Sequence, residues 1–288
     1  MTLDYSFTRY LEAKRSVDDR ALNGHVWQTW LETVPQHRSL RILEVGAGIG
    51  TMVERLLERD VLPGPVAYTA IDAEAANIAV AHGRLSALHD SWSLTLETID
   101  LAAFAAREKG RQRWDVIIAH AFLDLVPLPE TLILLFDLLE PDGTFYFTIN
   151  FDGETILQPV IDPAFDAKVL RLYHQTMDER VIDGRPSGHS RTGRRMFTYL
   201  QAAGAQTLAA GSSDWVVYAG PAGYAADEAY FLHFIIHTMA GALQGHPELE
   251  RHLFDAWIAQ RHAQIDAGTL VYIAHQLDFC GRLQPAAD

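Results

Sequence analysis

A single cysteine, Cys280, stands among 288 residues, so no disulfide can form within the chain and no cysteine-rich zinc site can be assembled from it. Positive charge is scarce as well: 23 Lys and Arg face 37 Asp and Glu, a formal net charge of −14. That balance repels a polyanion at long range, so no nucleic-acid partner is expected, while a local basic pocket is still permitted. No apolar run approaches the length of a membrane span, and Arg9, Glu12, Lys14 and Arg15 interrupt the N-terminus before a signal-peptide core forms. Together these absences predict a cytoplasmic protein with no membrane partner and no bound metal; the oligomeric state stays open.

What is present suits an ordinary globular chain, 49% hydrophobic and 21% charged, long enough for one large α/β core with additions. Ser16 to Pro35 predicts an N-terminal helix, because Leu22, Val26, Trp27, Trp30 and Leu31 recur at helical spacing. Apolar runs at Arg41–Val45, Val66–Ile71, Ser93–Ile99, Trp114–Ala119 and Thr144–Ile149 read as strands. Helical stretches separate them at Thr51–Asp60, Ala75–Leu88, Leu101–Lys109 and Leu132–Leu139, and Pro141-Asp142-Gly143 reads as a turn. Five strands alternating with helices over about 110 residues predict a parallel sheet built by right-handed crossovers.

After Asn150 the periodicity weakens, and residues 151–190, rich in Pro, Gly, Asp and His, read as a lid or cap. Regular structure resumes with a helix near Gly193–Ala203, a strand at Trp215–Tyr218, helices from Glu228 to Ile265 broken near His246-Pro247, and a last strand at Leu270–Ala274. The expected organisation is one domain: N-terminal helices over 1–37, a core over 38–150, and cap segments at 151–190 and 225–265.

The chemistry concentrates in Glu44-Val-Gly46-Ala47-Gly48-Ile-Gly50, placed between the first strand and the next helix. Glycines there permit positive φ and let backbone approach a ligand closely. The dinucleotide fingerprint asks for glycine where this chain has Thr51. Acidic residues close the next two strands, Asp72 and Asp100, and a carboxylate in such a place also serves as a helix cap.

An acidic residue two before the first glycine, glycines at alternate positions and this ordered set of strand ends resemble the class I S-adenosylmethionine-dependent methyltransferases, over roughly residues 38–150. The resemblance implies a Rossmann-like, seven-stranded, mostly parallel sheet with helices on both faces and an antiparallel last strand. It also implies S-adenosylmethionine as cofactor. In its terms Glu44 lies near the methionine ammonium, and Gly46, Ala47, Gly48 and Gly50 form the backbone cradle. Asp72, followed by Ala73, takes the ribose hydroxyls, whose pairing suits one carboxylate. Asp100 meets the adenine amino group, with Ile99 and Leu101 packed on the ring. His120 lies where the methionine portion and the acceptor meet, and Arg20 is offered to the cofactor carboxylate.

The implied activity is methyl transfer to a small-molecule acceptor, which requires alignment and exclusion of water more than acid–base groups. His120 titrates in the range of a general base, and equally suits a structural role. Tyr173, His174, His189, Arg191, Arg194 and Arg195 gather polar and cationic groups in or beside the cap, so an acceptor with an anionic group is expected there. His120-Ala-Phe122-Leu-Asp124 replaces the Asn/Asp-Pro-Pro-Tyr/Phe signature of amino-group methylation, and Cys280 lies outside any Pro-Cys motif. Two other readings are a nicotinamide-dependent oxidoreductase, opposed by the glycine spacing and Asp100, and a non-catalytic S-adenosylmethionine-binding protein.

Overall fold

The computed structural model describes residues 4–35, 39–86, 92–182 and 184–283. Helices α1 (Phe7–Ala21) and α2 (Gly24–Thr33) precede an alternating segment: β1 (Leu40–Val45), α3 (Thr51–Glu58), β2 (Val66–Asp72), α4 (Ala75–Arg84), β3 (Trp92–Thr98), α5 (Leu101–Glu108), β4 (Trp114–His120), α6 (Leu128–Leu138) and β5 (Leu139–Gln158). There follow α7 (Pro163–Asp178), a hairpin of β6 (Val181–Ile182) and β7 (Arg185–Pro186), α8 (Thr192–Ala202), β8 (Ala205–Ser212) and β9 (Trp215–Val217). The described chain closes with α9 (Glu228–Leu243), α10 (Arg251–Asp266) and β10 (Val271–Leu283).

Strands β1 to β5 pair in parallel in the order β3-β2-β1-β4-β5, and β10 then joins β5 antiparallel, followed by β8. Strand β9 also pairs with β10, so among the described residues the sheet has eight strands, one more than expected, and its last strand in sequence runs antiparallel as expected. Burial explains the centre: β4 is buried along its whole length, and β1 nearly so. Strands covered on both faces read as continuous apolar runs, which is why Trp114–Ala119 was legible.

Two apolar clusters cover the two faces, one formed with α2, α3 and α4 and the other with α5, α6 and α8. A third lies beyond the sheet, where Val17 of α1, Val169 and Leu172 of α7, Phe231 and Ile235 of α9, and Trp257 of α10 pack around the far ends of β5, β9 and β10. There Arg261 Nη2 and Asp166 Oδ2 form a buried ion pair at 2.7 Å between α10 and α7. Among the described residues no helix is long and apolar enough to cross a membrane.

Several expectations are corrected. The N-terminal segment is two helices: Ser6 Oγ accepts from the Arg9 amide at the start of α1, and Asn23 Oδ1 accepts from His25 and Val26 to start α2. The first was missed because α1 buries Lys14 and Asp18 beside Ala13 and Val17, so its inner face is not an apolar stripe. Strand β5 continues nine residues past Ile149, and much of 151–190 is regular structure, with α7 capped by Asp162 and opened by Pro163. Strand β8, Ala205-Gln-Thr-Leu-Ala-Ala-Gly-Ser212, was not foreseen; it is poor in β-branched residues, and at Gly211 a side chain would overlap Asn23. The turn at Pro141–Gly143 appears as a register jump from Trp114↔Leu139 to Val116↔Thr144. The expected ends at residue 37 and Leu88 fall outside the described residues.

Candidate functional site

Strand order reverses between β1 and β4, and in open parallel sheets that switch point opens a crevice at the carboxyl ends of the strands. Here the β1–α3 turn occupies it. Gly46, Gly48 and Gly50 have φ of 65°, 55° and 81°, the left-handed region that favours glycine. Space is short as well. A side chain at Gly46 would overlap the Phe122 ring, and one at Gly48 would come 3.2 Å from Leu11 of α1, which covers the turn.

Asp72 closes β2 and braces this turn. Its Oδ2 accepts from the Gly48 amide at 2.8 Å, while Oδ1 accepts from the Glu74 amide at 2.9 Å and Asn77 Nδ2 at 3.1 Å. Asp100 caps α5 by accepting from the Ala103 amide at 2.9 Å, and it stands exposed between Ile99 and Leu101. Glu44 is buried and accepts from the Tyr68 hydroxyl at 2.8 Å. Burial pushes its carboxyl up to about 8, against the pull of Tyr68 and the Arg55 charge.

His120 ends β4, buried, with Nδ1 2.7 Å from Thr148 Oγ1 of β5 and Nε2 3.0 Å from Asp18 Oδ2 of α1. Asp18 also takes the Lys14 ammonium at 2.8 Å and the Trp215 indole N–H at 2.8 Å. Burial works to raise the Asp18 carboxyl, but Lys14, His120 and Arg55 outweigh it and hold it well below the ordinary carboxylate range. Burial lowers the imidazole to about 4 in spite of that carboxylate. The neutral ring therefore donates from Nε2 to Asp18 and accepts at Nδ1 from Thr148. Both nitrogens are engaged, so His120 ties β4, β5 and α1 together and leaves no free lone pair for an acceptor.

Two residues beside it hold left-handed backbone, Ala121 at φ 51° and Ile149 at φ 58°. A β-branched residue in that region costs on the order of 1–3 kcal/mol and persists where the surroundings over-determine it. Here the buried Asp278 of β10 accepts from the Ile149 amide at 2.7 Å and from the Asn23 amide at 2.8 Å, while Ala121 donates to the Thr148 carbonyl at 2.9 Å.

The β1–α3 turn and the ends of β1, β2, β3 and β4 border one cavity of about 1220 Å³. The structure brings Glu44, Gly46, Ala47, Gly48, Asp72, Ala73, Ile99, Asp100, Leu101 and His120 to its wall, with Gly50 between lining residues Ile49 and Thr51. Arg20 is elsewhere, bonded to the buried Glu228. Its place on the wall is taken by Lys14, six residues earlier and so roughly 120° around the helix.

The expected cationic acceptor site is likewise not assembled. Tyr173 packs in the outer helical cluster, where burial pushes its hydroxyl up to about 12, and His174 Nε2 lies 3.0 Å from Thr155 Oγ1. His189 pairs with Asp178 at 3.0 Å, Arg194 with Asp152 at 2.9 Å, Arg191 bridges to Asp152 through its backbone, and Arg195 is exposed. None of the six is on the cavity wall. From the same segment the hairpin supplies Ile182 and Arg185, followed by Ser187. Sequence reasoning also missed Phe7 and Leu11 on that wall, and the Asp18 partner of His120. A Lys14–Asp18 pair at i,i+4 carries the signal of a solvated helix face, so nothing local distinguished it. Among the described residues no group of three or more His, Cys, Asp or Glu is placed to hold a metal ion.

Residues 43–145 match the family model for a methyltransferase domain. Curated proteins give no match. Among solved structures, the chain is similar to a methyltransferase from Thiobacillus denitrificans in complex with S-adenosylhomocysteine, at 13% identity over 98% of this chain and 100% of that one, with a TM-score of 0.47. It is similar to a cyclopropane synthase from Mycobacterium tuberculosis at 10% identity, 95% and 98% coverage and a TM-score of 0.46. A phosphoethanolamine N-methyltransferase from Haemonchus contortus follows at 12% identity, 98% and 61% coverage and 0.49. The family match spans β1 to β5, the segment that carries the glycine turn, Asp72, Asp100 and His120. The match to a methyltransferase domain thus falls on the segment that builds the glycine turn and the strand ends at the cavity, about a third of the chain.

Proposed function

We propose that the protein transfers a methyl group from S-adenosylmethionine to a small-molecule acceptor held at the α1 and β6–β7 end of the cavity. The observation that carries this reading is the extent of that cavity. At about 1220 Å³ it exceeds the roughly 300–1,000 Å³ of ordinary ligand pockets. It also runs from the ends of β2 and β3, past Glu44 and His120, to the start of α1 and the hairpin, which leaves room for a second molecule.

The residues fit the cofactor. Glu44 is a buried carboxyl raised by burial, and an ammonium beside it restores the charged form. At the turn a side chain would overlap Phe122 at Gly46 and press on Leu11 at Gly48, and both residues hold positive φ, which suits a backbone cradle. When bound, the cofactor supplies an electrophilic methyl group on a sulfonium. In this reading Asp72 accepts from the ribose hydroxyls, Ile99 and Leu101 sandwich the adenine edge, and Asp100 accepts from its amino group. Leu11 and the rest of α1 close the turn from water, and Asp18 holds α1 down through His120. Of its two expected roles His120 thus takes the structural one, as a positioning residue.

The anionic acceptor inferred from Arg191, Arg194 and Arg195 loses that support, since those residues lie off the wall. The charge of −14 still favours a small molecule over nucleic acid, and the near absence of cysteine suits a cytoplasmic setting. The test is incubation with S-adenosylmethionine and a fractionated metabolite extract. Formation of S-adenosylhomocysteine above the hydrolysis blank, dependent on one fraction, is expected. Tight S-adenosylhomocysteine binding with no turnover in any fraction would instead identify a non-catalytic binding protein.

A further inference from the structure

The acceptor end of the cavity has its own chemistry. Phe7, Leu125 and Ile182 line it, yet remain 52%, 42% and 52% exposed, and the hairpin neighbour Val181 is 61% exposed. Deeper in, Leu11 and Val126 continue the apolar wall. Of the polar groups on this wall, Ser187 Oγ donates to the Leu125 carbonyl at 2.8 Å and Lys14 is paired with Asp18 at 2.8 Å, while Arg185 of the hairpin stands exposed. The hairpin is anchored to the β4–α6 segment, because the Gly188 amide donates to the Val126 carbonyl at 3.1 Å. Large apolar side chains grouped at the mouth of a cavity mark a site that an apolar ligand covers.

We infer that the acceptor carries an extended apolar portion, which lies against Leu11 and Val126 and leaves the cavity between Phe7, Leu125 and Ile182. This rests on the methyltransferase reading above and adds a substrate class to it. A small hydrophilic acceptor would leave those side chains wet. An aliphatic chain or aromatic system removes them from water, and each methylene buried there strengthens binding by about fourfold.

The experiment is calorimetric titration of the protein saturated with S-adenosylhomocysteine, using 1-hexanol, 1-octanol and 1-decanol as probes below their solubility limits. Affinity should rise on the order of a hundredfold from hexanol to decanol. Ile182→Ser and Phe7→Ser, both at exposed positions, should each weaken decanol binding several-fold while S-adenosylhomocysteine affinity stays at the wild-type value. Affinity independent of chain length, or decanol binding unchanged in both variants, overturns the inference and leaves the methyltransferase reading standing. Failure of the wild type to bind S-adenosylhomocysteine at all would sink the reading on which it rests.

Discussion

The Asp18 carboxylate lies 3.0 Å from the His120 imidazole although 102 residues separate them in the chain. One of its oxygens serves both Lys14 and His120, and the other accepts from the Trp215 indole, so α1, β4 and β9 meet on a single buried side chain. The helix that covers the glycine turn is thereby fastened to the strand that carries His120. The stability of the fold and the covering of the turn depend on the same contact.

Asp18→Ala should destabilise the protein by about 3–5 kcal/mol, because it strands the Lys14 ammonium in a buried site without its partner. Urea denaturation would read the change as a lower midpoint. Adding Lys14→Met to the variant should recover part of the loss. If Asp18→Ala unfolds at the wild-type midpoint, the pair does not fasten α1.

The pH dependence of His120 has a defined sign. Its folded value of about 4 lies below the ordinary 6.5, so between those two pH values the unfolded chain binds more protons. Stability should therefore rise with pH through that window and fall away as the solution is acidified. Unfolding curves from pH 4 to 7 for wild type and His120→Gln would isolate the contribution. The variant should show the shallower slope, since other histidines continue to titrate.

Glu44 acts in the opposite direction. Its carboxyl is raised from 4.5 to about 8 in the folded protein, so there the folded state holds the extra proton and stability should decline as pH rises across that interval. Glu44→Gln, which keeps the neutral shape, should match wild type near pH 5 and exceed its stability near pH 8. A constant difference between the two at both pH values would mean that Glu44 is ionised in the fold.

Asp72→Ala should weaken S-adenosylhomocysteine binding by about 1.5–3 kcal/mol, roughly tenfold to a hundredfold, since the ribose hydroxyls lose a charged acceptor. The Gly48 amide also loses its partner, which adds mobility to the turn. Isothermal calorimetry on the purified variant checks this. Wild-type affinity would place the ribose elsewhere.

Arg194 is engaged by Asp152, well outside the cavity wall. Arg194→Ala should leave the affinity for S-adenosylhomocysteine, and the KM of an identified acceptor, within about twofold of wild type. A selective rise in acceptor KM would return the cationic cluster to the acceptor site.

The strand-end half of the cavity was legible in the sequence because it is built locally. An apolar strand, a glycine-rich turn and the start of a helix follow one another in the chain, and the turn's positive φ angles restrict it to glycine whatever packs around it. Asp72 and Asp100 were found for the same reason, each closing a strand just before a helix. The end lined by α1 and the hairpin was not legible. Whether Lys14 and Asp18 form a solvated surface pair or a buried anchor depends on His120 and Trp215, which only the tertiary structure brings to them. The arginines after the fifth strand looked available as a clamp, yet the continuation of β5 places Asp152 against Arg194. Backbone requirements are written residue by residue along the chain. Burial and pairing of side chains are decided by long-range neighbours, and for that reason the glycine turn and the strand-end acids could be read from the sequence while the far wall of the cavity emerged only in the fold.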